Sequence, residues 1–228
     1  MIVIKSKSVR NFIRVFVPFL IIPAIAFLGS IVFDRKKHII ISLSIAFFTL
    51  LVFISGFEKK STGTRRLVIA AIMTSLCFIG RFIPILKPIT ALTIITALYL
   101  GGETGFLVGA MTAIISNLYF GHGPWTAFQM LAWGIIGLIA GFISEPLKKS
   151  KPLLIVYGAL AGMMYSFIMD IWTVLWYNNG FDIKLYLSAL FTAIPYTISY
   201  MVSNIVFLYL LEKPFGEKLG RIKIKYDV

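Results

Sequence analysis

The sequence has 228 residues, of which 59% are hydrophobic and 14% are charged, with a mean hydropathy of +0.92. Soluble domains carry about 25% charged residues, so this composition excludes an ordinary soluble domain. The formal net charge is +13, but the lysines and arginines gather at the termini and in loops without interleaved aromatic residues. This distribution argues against a nucleic-acid partner and favours attraction to the lipid bilayer.

The apolar segments predict an all-α integral membrane protein, because a helix of about 20 residues crosses the hydrocarbon core of a bilayer. The first segment continues to residue 33, which is too long for a signal peptide and predicts a retained helix. Between the fourth and fifth segments, Gly101, Gly102 and Glu103 predict a tight turn that separates two helices. We expect eight crossings, at residues 12–33, 39–57, 67–83, 88–101, 104–119, 128–144, 153–176 and 187–211.

The distribution of basic residues predicts the orientation of the chain. If both termini lie in the cytoplasm, most of the 22 lysines and arginines fall on the inner side, in agreement with the positive-inside rule. The basic cluster at residues 35–37 is a local exception. In this topology the loops at residues 84–87, 119–127 and 177–186 lie outside, where they would surround one mouth.

A polar stretch at residues 58–66, EKKSTGTRR, separates the first two helices from the others. We therefore divide the chain into an N-terminal pair of transmembrane helices, residues 1–60, and a six-helix substrate-binding domain, residues 61–228. The second part contains nearly all of the polar side chains within apolar segments, so we expect the function to lie there.

Residues 116–141, SNLYFGHGPWTAFQMLAWGIIGLIAG, join a polar, aromatic loop to an apolar helix. Amide, imidazole and indole groups are costly to place in lipid, so we expect them to line a cavity or its mouth. Two later segments add an acid and a stripe of polar residues at every fourth position, which share one helix face. The candidate ligand-binding residues are Asn117, Tyr119, His122, Trp125, Gln129, Trp133, Asp170, Trp176, Asn178, Tyr196 and Tyr200.

These residues also allow other interpretations. Aromatic residues at helix ends, such as Trp176, are typical of a membrane-interface belt, and the stripe of Tyr196 and Tyr200 could make interhelical hydrogen bonds. Asp170, the one acid well inside an apolar segment, could contact a ligand, pair with Arg81 or be protonated. His122 has no nearby cysteine or carboxylate, so we predict no metal site there.

Sequence motifs for nucleotide hydrolysis and for serine or zinc hydrolases do not occur in the chain. We therefore predict no catalytic residues, and any pumping must draw energy from another subunit. Two alternatives come from other functional classes. One is a membrane-embedded enzyme that uses Asp170 and His122 as an acid–base pair, and the other is a scaffold without a ligand.

Three parts of the sequence resemble the substrate-binding S components of energy-coupling factor (ECF) vitamin transporters. They are RRLVIAAIMTSL at residues 65–76, ALYLGGETGFLVGAMTAIISNLYFGHGPWTAFQMLAWGIIGLIAG at residues 97–141, and the helix that contains Asp170. The middle block is most similar to S components for cobalamin (vitamin B12). Riboflavin or another vitamin is the alternative substrate, since stacked rings would also suit a flavin.

The resemblance implies a multi-pass protein of the bacterial plasma membrane that captures a vitamin from outside. It also implies association with a transmembrane T component and two ATPase subunits. The vitamin would be a transported ligand, and no cofactor is implied. Contact with the T component would fall on small residues of the first helix of the six-helix domain, which are Ala70, Ala71, Thr74 and Ser75. The resemblance supplies no role for the two N-terminal helices.

Overall fold

The computed structural model describes residue 4 and residues 6–32, 38–56, 60–178 and 181–226. These residues form helices and no strands, as the sequence predicts. The basic cluster at residues 35–37 and the segment ends predicted at residues 33 and 57 lie outside the described residues. The α-helices are α1 (Lys7–Phe16), α2 (Ile22–Val32), α3 (His38–Ser55), α4 (Lys60–Gly80), α5 (Ile89–Leu100), α6 (Gly102–Phe120), α7 (Trp125–Phe142), α8 (Ser144–Lys149), α9 (Lys151–Asn178), α10 (Ile183–Thr192) and α11 (Ile194–Tyr226).

The first two helices are joined by a π-helical turn at Val17–Ile21. Pro18 lies at the start of this turn and lacks a backbone N–H, so it cannot donate a regular helical hydrogen bond. At the other end of α1, the Ser6 hydroxyl accepts a hydrogen bond from the backbone N–H of Val9 at 3.4 Å and caps the helix.

The predicted turn between the fourth and fifth apolar segments is confirmed. α5 ends at Leu100, and Gly101 has a φ of +95°, a left-handed conformation that glycine adopts without a steric penalty. The next helix, α6, begins at Gly102. A single glycine therefore reverses the chain between two helices that pack side by side.

The expectation of one helix over residues 187–211 is wrong. α10 ends at Thr192, and α11 begins at Ile194 and continues to Tyr226. Pro195 has no backbone N–H, and its ring conflicts with the carbonyl group of the preceding turn, so the helix breaks at this point. The break leaves α10 as a peripheral helix without a buried residue.

Within the part of the chain that the structure describes, five helical stretches are long and apolar enough to cross a membrane, and the chain is a multi-pass membrane protein. Three other predicted crossings correspond to α3, α5 and α6, which are shorter or less apolar than these five stretches. The five stretches are Lys7–Gly29, Gly63–Gly80, Trp125–Phe142, Lys151–Asn178 and Ile194–Tyr226.

Helix α5 lies at the centre of the bundle, where it packs against α4, α6, α7, α9 and α11. All of its residues except Tyr99 are buried. Beside it, α6 and α7 approach closely because glycines face each other, as small residues allow in membrane proteins. A Cβ atom added at Gly109 of α6 would lie 2.6 Å from the carbonyl group of Trp133 in α7.

A partly buried ion pair attaches α1 to α6. Arg14 of α1 contacts the carboxylate of Glu103, whose side chain is almost fully buried. Arg66 of α4 is close enough to attract the same carboxylate. Asp170 was predicted to be the one acid well inside an apolar segment. Glu103 is a second buried acid, and arginine compensates its charge.

Candidate ligand-binding site

A cavity of about 660 Å³ opens between the loop that connects α4 to α5 and the helices α5, α7, α9 and α11. It lies at the end of the bundle where α4 and α9 finish and α5 and α7 begin. Fourteen residues from these elements line it. They are Arg81, Ile85, Lys87, Ile89, Thr90, Gln129, Trp133, Tyr165, Pro195, Tyr196, Ser199, Tyr200, Ser203 and Asn204.

A chain of hydrogen bonds runs beside this cavity from the α4–α5 loop to α9. The Arg81 guanidinium donates to the side-chain oxygens of Ser116 and Asn117. The Asn117 amide donates to Gln129 Oε1 at 2.7 Å, and the Gln129 amide donates to the Tyr165 hydroxyl at 3.0 Å. Each side chain therefore fixes the orientation of the next, so the cavity presents its polar groups in fixed positions.

Asn117 is the centre of this chain. Its side chain is fully buried, and its amide nitrogen also donates to Thr126 Oγ1 at 2.8 Å. The residue does not line the cavity and acts through Arg81 and Gln129, which do.

Aromatic rings form one wall of the cavity. The Trp133 ring stacks on Tyr165 with centroids 5.1 Å apart and an angle of 18° between the planes. Tyr200 meets Tyr165 edge-on at 5.0 Å. Trp133 and Tyr165 are mostly buried, whereas Tyr196 at the cavity edge has 66% of its surface exposed. A flat ligand could stack on such a wall while its polar edge reached the opposite side.

The lining is basic. Arg81 and Lys87 contribute positive charge, and no acid is among the lining residues. Burial lowers the pKa of both side chains, because removal from water disfavours the charged form, and the charge of Arg81 lowers the pKa of Lys87 further. These cations favour ligands with carbonyl groups or negative charge.

The loop between α4 and α5 is held in a defined shape. The Ser203 hydroxyl accepts a hydrogen bond from the Lys87 backbone N–H at 2.8 Å and donates one to the Lys87 carbonyl at 2.9 Å. Ile85 has a φ of +63°, which is strained for a β-branched residue, and 83% of its surface is exposed. Strain of this kind is typical of functional segments.

Four of the candidate ligand residues line the cavity, namely Gln129, Trp133, Tyr196 and Tyr200. Asn117 lies one hydrogen bond behind them. Sequence reasoning thus located the two helices that form much of the wall.

Other candidates lie away from this cavity. Tyr119 is exposed and packs against Phe82, and Asn178 is exposed at the end of α9. Asp170 lines a neighbouring pocket, which shares only Tyr196 with the cavity. His122, Trp125 and Trp176 are half-buried and do not line the cavity.

Five residues that were not predicted as ligand residues also line the cavity, namely Arg81, Lys87, Tyr165, Ser199 and Ser203. Lys87 had been considered only for topology, and Arg81 only for topology and as a possible partner of Asp170. The signal that could have identified them is their position at the predicted outer mouth. Tyr165 stands within a long apolar run, where no sequence signal separates it from packing residues.

The predicted partner-contact residues divide between two faces of α4. Ala71 and Ser75 are exposed, whereas Ala70 and Thr74 are buried against the bundle. Among the described residues, no group of three or more His, Cys, Asp or Glu side chains could hold a metal ion.

The family comparison matches residues 61–217 with the model described as ECF-type riboflavin transporter, S component. No curated protein and no solved structure matches the chain significantly. The matched region begins within α4 and includes every residue that lines the cavity.

Proposed function

Since the chain belongs to the family of ECF-type riboflavin transporter S components, we propose that the substrate it captures is riboflavin. Membership of this family makes it the substrate-binding subunit of a transporter and not an enzyme. The choice of riboflavin over cobalamin depends on the size and the wall chemistry of the cavity.

The cavity has the volume that a flavin needs. Pockets for drug-sized ligands measure about 300–1,000 Å³, and the 660 Å³ here lies in the middle of that range. Riboflavin has about 27 non-hydrogen atoms, which makes it a ligand of this size. Cobalamin has about 90 non-hydrogen atoms and would need a site at or beyond the upper end of the range.

The walls also suit a flavin. The isoalloxazine ring of riboflavin is flat and apolar on its faces, and its edge carries two carbonyl oxygens. Trp133, Tyr165 and Tyr200 supply aromatic surface for the faces, and Arg81 and Lys87 supply donors for the carbonyls. The ribityl chain carries hydroxyl groups, which match the serine hydroxyls of α11.

The cavity mouth faces the extracellular side in this proposal, with both termini in the cytoplasm. That orientation follows from the distribution of lysine and arginine, and a capture subunit for uptake must open outward. The membrane is the plasma membrane of a bacterium, and the T component and ATPase subunits of an ECF transporter supply the energy for transport.

The T component docks on the exposed face of α4 that contains Ala71 and Ser75. Small residues there let a partner helix approach closely in lipid. Ala70 and Thr74 support this face from inside the bundle because both are buried.

Flavin fluorescence tests the proposal directly, because stacking on tryptophan or tyrosine quenches it. Titration of purified protein with riboflavin should give saturable quenching that excess cobalamin does not reverse. Trp133→Leu should weaken binding at least about fivefold, since one stacking contact is worth about 1–3 kcal/mol. Trp176→Leu is the matched control and should bind normally, because Trp176 does not line the cavity.

Two outcomes would contradict the assignment. If the protein gave no quenching but acquired the red colour of bound cobalamin, the substrate would be the larger vitamin. Equal loss of riboflavin binding in Trp133→Leu and Trp176→Leu would place the ligand elsewhere in the bundle.

A further inference from the structure

A second pocket, of about 470 Å³, lies between α9, α10 and α11. Asp170 of α9 lines it, about 12 Å along the helix from the end of α9 at a rise of 1.5 Å per residue. Tyr196 separates this pocket from the riboflavin cavity and lines both. The pocket is therefore adjacent to the first site but has its own walls.

Asp170 has no compensating partner within the part of the chain that the structure describes. Only 8% of the residue's surface is exposed, and its Oδ2 atom makes no hydrogen bond there. No described lysine or arginine forms an ion pair with it. A buried carboxylate without a donor or a cation is costly, so the pocket favours a positively charged or donor-rich ligand.

The serine and threonine hydroxyls that line the pocket can act only as acceptors toward such a ligand. Thr173 donates its hydroxyl hydrogen to the Met169 carbonyl at 3.2 Å, and Ser188 donates to the Lys184 carbonyl at 3.0 Å. Thr192 likewise donates to a carbonyl group of its own helix. Because each hydrogen is already used, these oxygens offer only lone pairs to the pocket.

Two tyrosine rings complete the pocket. Tyr177 and Tyr196 line it and are both more than half exposed, so they stand at its mouth. Ring faces attract cations, most strongly when the cation is an ammonium group. The remaining lining residues are apolar, and a bare metal ion would leave most of the volume empty, so an organic cation fits better.

We propose that this pocket binds the primary ammonium group of an organic molecule, which pairs with Asp170 and donates hydrogen bonds to the surrounding hydroxyl oxygens. The riboflavin cavity has the opposite character, with two cations and no acid in its lining. The second site therefore selects for a different chemical group from the one that the riboflavin cavity would bind.

The ammonium group has two possible sources. One is a soluble amine, and the other is the ethanolamine headgroup of a membrane lipid. α10 has no buried residue, and its apolar side chains, such as Leu187 and Phe191, are exposed. The pocket therefore lies next to the lipid-facing surface, within reach of a headgroup.

Saturation-transfer NMR with ethanolamine and detergent-solubilised protein tests the site. The wild type should give a saturable signal that tetramethylammonium, which has no N–H donor, does not displace at equal concentration. Asp170→Asn should abolish the signal. Asp182→Asn is the matched control and should retain it, because Asp182 caps α10 outside the pocket and asparagine caps equally well.

A second variant keeps the charge and removes acceptors. Ser188→Ala combined with Thr192→Val should weaken ethanolamine binding about tenfold, because hydrogen bonds to a charged group are stronger than those between neutral groups. Riboflavin quenching should stay unchanged in every variant, which shows that the protein is folded and separates this test from that of the vitamin.

The source is identified by native mass spectrometry of protein in micelles with equal amounts of phosphatidylethanolamine and phosphatidylcholine. Selective retention of the ethanolamine lipid by the wild type, lost in Asp170→Asn, assigns the lipid source. Ethanolamine binding without lipid selectivity assigns a soluble amine. The proposal is overturned if neither probe binds, or if Asp170→Asn binds as well as the wild type.

Discussion

Replacement of Asn117 by leucine should disrupt the polar chain beside the riboflavin cavity without creating a large void, because the two side chains are similar in size. The substitution removes hydrogen bonds to Arg81, Thr126 and Gln129. Interhelical hydrogen bonds in membrane proteins average about 0.6 kcal/mol each, so the loss of three should lower the free energy of unfolding by about 2 kcal/mol.

That change should be visible in thermal unfolding of the detergent-solubilised protein. For a chain of 150–250 residues, 1 kcal/mol corresponds to about 2–4 °C, so Tm should fall by about 4–8 °C. Riboflavin affinity should also fall, because Gln129 loses the donor that orients its carbonyl oxygen toward Asn117. A loss near tenfold corresponds to about 1.4 kcal/mol.

The matched control is Asn178→Leu, which makes the same chemical change at an exposed position. It should change the free energy of unfolding by less than about 0.5 kcal/mol and leave riboflavin quenching unchanged. The reasoning is refuted if Asn117→Leu unfolds and binds like the wild type. In that case Arg81 and Gln129 would be positioned by their backbones and not by the polar chain.

Three further predictions follow from close contacts elsewhere. Gly109→Ala should lower Tm because its Cβ would strike the backbone of the facing helix at 2.6 Å, whereas Gly220→Ala, with no atom within 4 Å, should not. Ala71→Leu should reduce co-purification with the T component at unchanged riboflavin affinity, and intact assembly would move the docking face elsewhere. Arg14→Ala should lower the free energy of chemical unfolding by about 1–3 kcal/mol, because its carboxylate partner is buried and keeps only Arg66 nearby. Lys148→Ala, in an exposed pair, should cost under about 1 kcal/mol, and equal costs would contradict burial as the cause.

Much of the architecture could be predicted because its determinants are local. Apolar run length identified the helices, and glycine chemistry at Gly101 identified the turn between α5 and α6. The break at Pro195 was not predicted, although the proline was visible, because an apolar run continues across it. Run length therefore masked a local signal that contradicted it.

The types of residue at the candidate site could be predicted from the sequence better than their spatial arrangement. Gln129 and Trp133 follow a conspicuous polar loop, so their role at a cavity wall could be expected. The hydrogen bond from Arg81 to Asn117 could not be predicted from the sequence, because it joins residues that are 36 positions apart. The pairing of Arg14 with Glu103 spans an even longer separation, and only the packed bundle reveals it.

Helix α5 has a consequence for how the protein is made. Its 12 residues extend about 18 Å, well short of a hydrocarbon core of about 30 Å, and nearly all of its surface is covered by neighbouring helices. For a segment this short, transfer from the translocon into lipid alone gives little favourable free energy. We expect α5 to enter the bilayer as a hairpin with α6, so that its place at the centre is filled only once both have left the ribosome.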